Sequence, residues 1–523
     1  MVGTKPRNRI QPKTRTRILA ALVVVTPLIV SAAPGDVVKV DGGQVAGTSV
    51  DGVRVFKGIP FAAPPIGDLR WKAPQPVVAW PGVKSADTFG PQCMQTPYPE
   101  GSPYATAPAP TSEDCLYLNV YTAAKSGDRR PVMVWIHGGA WTRGSGSTPT
   151  YNGSTLAKKG VIVVTVNYRL GVFGFMAHPE LTAESPHHSS GNYAILDHVA
   201  ALEWVKRNIA SFGGNPANVT IFGESAGSWS VNTVQATPLA KGLFQRAIGE
   251  SGGQFSRTAT LATAEAAGLA FMKAAGADSI KALRALPGEK IQTTNFLRSA
   301  INVDGWVLPA DVRTIFANKQ QNPGPVLVGS NANEMTTLSN PAQFPKTMAD
   351  YRRRVETQYG DAVKEYDAAY PVASDADINQ AMLGVGRDQT FTLEMRTWAR
   401  MVTASGAKAF LYQFTHVPPS PNGAAWGAYH ASEIPYVFGT LRNRSWPFTA
   451  VDDKLSDQMS SYWVNFATAG DPNGKGLERW TAYDQTNEPY LDLGDTVQTK
   501  HHLLKAQLDF LEGFQQRRAT SQR

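Results

Sequence analysis

The sequence of 523 residues is poor in cysteine, in charged residues and in long apolar runs. Charged residues make up 18% and apolar residues 42%, which argues against a disordered or fibrous chain because a substantial core can be buried. No segment repeats at a period of about 20–50 residues, so a solenoid is not indicated. Beyond the first 33 residues no run reaches about 18 consecutive apolar residues, which argues against a multi-pass membrane protein.

The apolar run that does stand out lies near the start of the chain. Basic residues without any acidic one come first, residues 18–30 are apolar, and the small residues Ser31, Ala32 and Ala33 follow. This order predicts a secretory signal peptide over residues 1–32, cleaved after Ala32, and therefore a secreted or periplasmic protein. A retained membrane anchor is the alternative, although a run of about 13 residues with a proline is short for a bilayer.

The net charge of the whole chain is +8, but much of it belongs to the leader. The six basic residues of the leader are Lys5, Arg7, Arg9, Lys13, Arg15 and Arg17. Removing these six positive charges from +8 leaves +2, which does not indicate a nucleic-acid partner. After cleavage we expect no stable membrane insertion, and the sequence does not specify an oligomeric state.

Two cysteines, Cys93 and Cys115, lie close together near the start of the exported chain. In an exported protein an even pair with short spacing predicts one disulfide. Two buried thiols or a metal site are the alternatives. A zinc site is poorly supported because no histidine neighbours either cysteine, so we expect no metal.

Several short, almost continuously apolar segments end in glycine-rich or polar loops, as strands buried on both faces do. They include VMVWIHGG, VIVVTVNYRLG, NVTIFGESAG, PVLVGSNANE and AFLYQFTH. Between them lie stretches with apolar residues at helical spacing, such as residues 192–212 before Gly213 and Gly214. The alternation predicts a single α/β domain over residues 33–523, with a mainly parallel sheet, helices on both faces, and helical insertions between about residues 258 and 424.

Residues 219–227, VTIFGESAG, lead from an apolar strand into a G-x-S-x-G turn and then into a segment able to begin a helix. Gly223 and Gly227 allow backbone segments to come close at such a turn, and the helix N-terminus adds partial positive charge. The pattern predicts that Ser225 is a nucleophile. An ordinary strand–turn–helix junction is the alternative.

The loop His137, Gly138, Gly139, Ala140 follows the buried run VMVWI. Successive backbone N–H groups with glycines that permit close approach are typical of an oxyanion hole. The N–H of Ala226 would complete the set of donors. A simple turn after a strand is the alternative.

A serine hydroxyl needs a base to accept its proton, and the base needs an acid to orient it. With a G-x-S-x-G turn of this kind the chain order is serine, acid, histidine. The histidines after Ser225 are His416, His430, His501 and His502. His430 lies in a loop of small residues and is the predicted base, with His416 at the end of a strand as the second choice. Glu334, at the end of PVLVGSNANE, is the predicted acid.

Together these segments resemble the type-B carboxylesterases, the cholinesterase and carboxylesterase branch of the α/β-hydrolases. FGGNPANVTIFGESAG and SEDCLYLNVY are similar to two signatures of that family, and GIPFAAPPIGDLRW, VNYRLGVFGF, VDGWVLP and ATAGDPNG fall where family segments do. The likeness extends from about residue 38 to residue 510. It implies the α/β-hydrolase fold and hydrolysis of small-molecule carboxylic esters to acid and alcohol through an acyl-enzyme, with no cofactor and no metal.

The resemblance also implies roles for individual residues. The implied triad is Ser225, Glu334 and His430, and the implied oxyanion-hole donors are the N–H groups of Gly139, Ala140 and Ala226. The implied structural pairs are the Cys93–Cys115 disulfide and an ion pair between Arg70 and Glu113. Glu113 is therefore not counted as catalytic.

The sequence departs from the family pattern at two places. Asn333 and Met335 flank Glu334 where the family usually has aspartate and glycine, although the carboxylate itself is retained. Ala140 stands where a third glycine is frequent, so its N–H can serve only if its φ suits alanine.

Cholinesterases carry a tryptophan inside the equivalent disulfide loop, whereas residues 94–114 contain only Tyr98 and Tyr104 as aromatic residues. A choline-ester specialist is therefore disfavoured. A lipase, amidase or thioesterase of the same fold is the alternative enzyme, since the catalytic parts would be identical. A non-catalytic binding protein is the alternative from another class, and the presence of all three triad residues argues against it.

Overall fold

The computed structural model describes residues 1–4, 37–256, 258–296 and 300–521. The basic and apolar segments of the predicted signal peptide lie outside these ranges. Within the described residues, no helix has both the length and the apolar character needed to cross a membrane.

Eighteen strands and seventeen α-helices form within the described ranges. The strands are β1 Val37–Val40, β2 Gly43–Ala46, β3 Thr48–Val50, β4 Val53–Pro60, β5 Val83–Ser85, β6 Gln92–Cys93, β7 Thr111–Ser112, β8 Tyr117–Thr122, β9 Arg130–Ile136, β10 Ile162–Val166, β11 Gly214–Glu224, β12 Arg246–Glu250, β13 Ala259–Thr260, β14 Asn302–Val303, β15 Val326–Asn331, β16 Ala409–Phe414, β17 Pro489–Leu493 and β18 Val497–His501. The helices are α1 Ser154–Lys158, α2 Gly171–Phe175, α3 Pro179–Glu184, α4 Tyr193–Asn208, α5 Ala226–Ala236, α6 Leu261–Ala275, α7 Ile280–Arg284, α8 Gly288–Thr293, α9 Val312–Ala317, α10 Met348–Tyr359, α11 Val363–Ala369, α12 Ile378–Arg387, α13 Leu393–Ala404, α14 Gly423–Trp426, α15 Ile434–Phe438, α16 Ala450–Ala469 and α17 Lys505–Ser521.

Eleven of the strands form one sheet in the order β18-β17-β16-β15-β12-β11-β9-β10-β8-β4-β3. The seven strands from β17 to β10 run parallel to one another. Antiparallel strands flank them, with β18 on one side and β8, β4 and β3 on the other. The predicted mainly parallel sheet is confirmed.

Both faces of the sheet are covered, which explains why its strands are almost continuously apolar. Along β9, Val132, Val134 and Ile136 belong to one apolar cluster, whereas Met133 and Trp135 belong to another. Helices α4 and α5 contribute to the first cluster, and α15 and α16 contribute to the second. The predicted helices on both faces are confirmed.

Two long helical insertions interrupt the order of parallel strands. Helices α6 to α9 connect β12 to β15, and helices α10 to α13 connect β15 to β16. Helices α10, α11 and α12 share a third, smaller apolar cluster with α17 from the end of the described chain. Because a chain leaves a parallel strand at its carboxyl end, both insertions start at the edge of the sheet where the predicted catalytic residues lie.

Candidate active site

The predicted site residues follow three parallel strands at one edge of the sheet, and β12 lies between two of them, β11 and β15. Strand β9 ends at Ile136 before the glycine loop, β11 ends at Glu224 before Ser225, and β15 ends at Asn331 before Glu334. Neighbouring parallel strands bring their carboxyl ends together, so residues far apart in sequence meet at this edge. The structure thus gathers the predicted nucleophile, donors and acid in one place.

Ser225 lies at the turn between β11 and α5 with φ 56° and ψ −124°, an uncommon conformation for a residue other than glycine. Its N–H donates to the carbonyl of Glu250 at 2.8 Å, which ties the turn to the neighbouring strand. A Cβ on Gly223 would lie 2.6 Å from the carbonyl oxygen of Ile136, and one on Gly227 only 2.0 Å from the same atom. Both glycines are therefore required because the turn packs directly on the backbone of β9.

His430 and Glu334 are joined by a hydrogen bond of 2.5 Å between Nδ1 and Oε2. The Glu334 carboxylate is fully buried, and its Oε1 accepts from the Ser251 hydroxyl and from the Asn331 N–H, both at 2.6 Å. Three donors therefore hold one carboxylate in a fixed orientation.

Asn333 links the loop that carries Glu334 to the loop that carries His430. Its N–H donates to the Ala428 carbonyl at 2.9 Å, and its side-chain oxygen accepts from the Ala428 N–H at 3.0 Å. Asn333 thus supplies a side-chain contact between the loop of the acid and the loop of the histidine, and its accepting oxygen does what an aspartate oxygen would do there.

The second ring nitrogen of His430, Nε2, lies 3.1 Å from Oε1 of Glu224, the residue before Ser225. No hydrogen bond joins the Ser225 hydroxyl to His430 among the described residues. A Cβ on Gly138 would lie 2.8 Å from Glu224 Oε2 and 3.1 Å from Ser225 Cβ, so the two side chains share one corner with the glycine loop. Burial, with Glu334 and Glu250 nearby, raises the pKa of Glu224 well above its ordinary value.

The glycine loop after β9 has a left-handed backbone at Gly139 and Ala140. Gly139 has φ +107° and a Cβ there would lie 2.1 Å from the Arg143 carbonyl oxygen, so glycine is required. Ala140 has φ 54°, within the small left-handed region open to alanine. Among the described residues, the N–H groups of Gly139, Ala140 and Ala226 have no protein acceptor.

His416, the second choice for the base, lies away from this site. Its Nδ1 is 2.6 Å from Asp495 and its Nε2 is 2.9 Å from Asp452, so both ring nitrogens face carboxylates. His501 is exposed and its Nδ1 is 2.9 Å from the Asn487 carbonyl, and His502 is exposed as well. The structure brings only His430 of these four histidines to Glu334.

Further buried groups at the site were not predicted from the sequence. Ser251 supports Glu334, Glu250 accepts from the Trp463 indole at 2.8 Å, and Glu433 accepts from the Asn331 amide at 2.5 Å. Burial raises the pKa of Glu250 to about 8 and that of Glu433 well above its ordinary value. The segment RAIGESGG could have indicated Glu250 and Ser251, because it is an apolar strand that ends in a glutamate and a serine.

The predicted structural pairs are present. Cys93 and Cys115 form a disulfide with a Cα–Cα distance of 4.9 Å. Arg70 and Glu113 form a two-pronged ion pair with N–O distances of 2.6 Å and 2.5 Å, and Arg70 also donates to three backbone carbonyls. Within the described ranges, no group of three or more His, Cys, Asp or Glu residues is arranged to hold a metal ion.

Comparisons with known proteins show the family of the chain. The model of the carboxylesterase family matches residues 34–511. The chain is 38% identical to a fumonisin B1 esterase of Sphingopyxis macrogoltabida over 85% of this chain and 84% of the relative. It is 35% identical to the para-nitrobenzyl esterase of Bacillus subtilis (strain 168) over 88% of this chain and 95% of the relative.

Its fold is also similar to solved structures. A carboxylesterase crystal structure from Geobacillus stearothermophilus superposes with a TM-score of 0.79 at 33% identity and covers 91% of this chain and 99% of that chain. The match to the family extends over most of the sequence, and the likeness of structure covers 91% of the chain. This chain therefore belongs to the carboxylesterase family, has the α/β-hydrolase fold and hydrolyses carboxylic esters.

Proposed function

We propose that Ser225, His430 and Glu334 are the triad through which this enzyme hydrolyses small-molecule esters. The observation that carries the proposal is the 2.5 Å hydrogen bond between His430 and the buried Glu334, next to the turn that presents Ser225. Ser225 is 8% exposed, so its hydroxyl is within reach of a bound ester while the rest of the residue is held by the turn.

In the proposed mechanism, Ser225 Oγ attacks the ester carbonyl while His430 Nε2 accepts its proton. His430 then donates this proton to the leaving alcohol, and an acyl group remains on Ser225. Water, deprotonated by His430, attacks the acyl-enzyme, and His430 returns the proton to Ser225 Oγ as its bond to the acyl group breaks and the acid leaves. No cofactor takes part in these steps.

Glu334 acts through His430. By accepting from Nδ1–H it fixes the tautomer in which Nε2 carries a lone pair, and it stabilises the imidazolium that forms after proton transfer. The Ser251 and Asn331 donors keep the carboxylate in place. The hydrogen bond between Ser225 and His430 is expected in the complex with substrate, since such bonds are often long in free enzymes and tighten when substrate binds.

The N–H groups of Gly139, Ala140 and Ala226 are proposed to hold the negative oxygen of the tetrahedral intermediate. Their lack of protein acceptors within the described residues and the φ values of the glycine loop support this role. One such donor contributes about 3–4 kcal/mol to stabilisation of the transition state. The N-terminus of α5 adds partial positive charge at the same point.

Residues 1–32 are proposed to be a cleaved signal peptide and residues 33–523 a single catalytic domain in a secreted or periplasmic enzyme. The basic, apolar, small order of the leader and the disulfide support export. Sequencing the N-terminus of the exported protein tests the proposal. A mature chain that begins at Ala33 is expected, and an uncleaved chain in the membrane fraction would contradict it.

The test of the catalytic proposal compares the purified enzyme with Ser225→Ala on 4-nitrophenyl esters, an anilide and emulsified triglyceride. Ser211→Ala is the matched control because Ser211 is exposed and lies outside the site. We expect esterase activity in the wild type and the control and none above background in Ser225→Ala. Wild-type turnover by Ser225→Ala would overturn the proposal, and faster hydrolysis of the anilide or triglyceride would change the substrate class.

A further inference from the structure

The loop closed by the disulfide, residues 94–114, places two tyrosines over the proposed site. The ring centroids of Tyr98 and Tyr104 are 5.6 Å apart, and the Tyr104 ring lies 6.4 Å from the His430 ring. The Tyr98 hydroxyl would be 3.0 Å from a Cβ on Gly139. The tyrosine pair thus extends from a proposed oxyanion donor to the proposed base.

Two arginines hold the two ends of this tyrosine pair. The Arg143 guanidinium lies 5.0 Å from the Tyr98 ring centroid, and its nearest contact on the loop is the Pro97 carbonyl at 3.5 Å. Arg444 donates to the Pro103 carbonyl at 3.0 Å and to the Tyr429 hydroxyl at 3.3 Å. We call Arg143 and Arg444 the arginine pair.

Among the described residues, twelve arginines form ion pairs with carboxylates, and the arginine pair does not belong to them. Arg70, Arg169 and Arg396 are each bonded to carboxylates. Within the described residues, no carboxylate lies within 4.0 Å of either member of the arginine pair. Their partners are neutral carbonyls, a hydroxyl and ring faces, so neither positive charge is balanced by direct contact.

Glu100 and Glu113 of the disulfide loop and the buried Glu224 form no ion pair with the arginine pair. Glu113 in the disulfide loop is bonded to Arg70, and Glu100 is exposed and forms no ion pair with either arginine. Burial, with Glu334 and Glu250 nearby, raises the pKa of the third acid, Glu224, well above its ordinary value. Two permanent positive charges therefore flank the tyrosine pair, and such charges attract an anionic ligand.

We propose that the arginine pair recognises a carboxylate on the substrate, so that this enzyme prefers esters carrying an anionic group close to the scissile bond. The proposal rests on the proposed function of Ser225. Guanidinium groups match carboxylates in shape and charge and are already held by the loop, so little side-chain freedom is lost when the substrate binds.

The test compares two acyl chains of equal length, mono(4-nitrophenyl) adipate and 4-nitrophenyl hexanoate. The measured quantity is the ratio of their kcat/KM values in the wild type, Arg143→Gln, Arg444→Gln and the double variant. Arg442→Gln is the matched control because Arg442 is exposed and is bonded to Asp453. The ratio is expected to fall about 5-fold for each member of the arginine pair, mainly through KM of the adipate ester, and to stay unchanged in the control.

Two further measurements separate charge recognition from a structural role of the loop. Arg143→Lys and Arg444→Lys keep the charge, so they should retain most of the ratio, and raising the ionic strength should lower it in the wild type. An unchanged ratio in the double variant, or an equal fall in Arg442→Gln, would overturn the proposal. If hexanoate hydrolysis instead proved independent of Ser225, the proposed function would fail and not only the carboxylate preference.

Discussion

Replacing Glu334 by glutamine removes one charge from the site and changes its shape very little. Oε1 of Glu334 accepts from two donors, the Ser251 hydroxyl and the Asn331 N–H. The amide oxygen of glutamine must take that place, because the opposite orientation would face an NH2 group toward two donors and leave buried groups unpaired at about 1–3 kcal/mol each. The amide NH2 then faces His430 Nδ1, where Oε2 now accepts.

With an NH2 group as its neighbour, Nδ1 must become an acceptor, and the imidazole proton moves to Nε2. His430 can then no longer accept the proton of Ser225, and no carboxylate stabilises its cation. We expect kcat to fall about ten-thousand-fold, equivalent to about 5.5 kcal/mol of transition-state stabilisation, with little change in KM.

The assay is steady-state hydrolysis of 4-nitrophenyl butyrate, with the melting temperature as a check on folding. Glu394→Gln is the matched control, since Glu394 is also buried but accepts from the Phe255 N–H at 2.7 Å instead of a histidine. Its activity should stay within about 2-fold of the wild type. A folded Glu334→Gln that lost less than 10-fold in kcat would refute the role given to Glu334.

Three other expectations follow from the packing and the buried charges. Burial raises the pKa of Glu394 to about 7, so protonation of this side chain favours the folded state. The contribution of Glu394 to the free energy of unfolding is therefore fully present below the unfolded pKa of about 4.3 and is lost as the pH rises through about 7. The fall in melting temperature from pH 4.5 to pH 8 should therefore be smaller for Glu394→Gln than for the wild type. An equal fall in the two proteins would contradict the raised pKa of Glu394. Gly227→Ala should push α5 away from β9, since the added Cβ would lie 2.0 Å from a carbonyl oxygen. We expect the free energy of unfolding to fall by about 1–3 kcal/mol or more and most of the activity to be lost. A wild-type melting temperature and wild-type turnover would contradict this packing. Replacing Cys93 and Cys115 by alanine opens a loop whose ends are 22 positions apart and should lower the unfolding free energy by about 3 kcal/mol, measured by urea denaturation; an unchanged midpoint would show that the bridge does not stabilise the fold.

The features that could be predicted from the sequence are those encoded in short segments. The turn at Ser225 depends on a strand, two glycines and a helix that are adjacent in the chain. The buried strands can be predicted because they are apolar runs in the sequence. Chain order then restricted the acid and the base to a few candidates. His416 and His430 could be ranked only by local context, and what separates them is tertiary: His416 lies between Asp452 and Asp495.

Contacts between distant residues could not be predicted in this way. Ser251 meets Glu334 across 83 positions, and Arg444 meets Pro103 across 341. The same holds for the third apolar cluster, where α17 packs on helices that precede it by more than a hundred residues. Such pairings depend on how the helical insertions pack on the sheet. No short segment of the sequence encodes that packing.

Ser225 is proposed to carry the acyl group during turnover. An organophosphate ester such as diethyl 4-nitrophenyl phosphate forms a stable adduct with the attacking serine, and peptide mass spectrometry locates it. We expect one adduct per chain on the peptide that contains Ser225, and the activity should fall in proportion to the labelling. Ser225→Ala should form no adduct. Inactivation with the adduct on another residue, or full activity after complete labelling of Ser225, would contradict it.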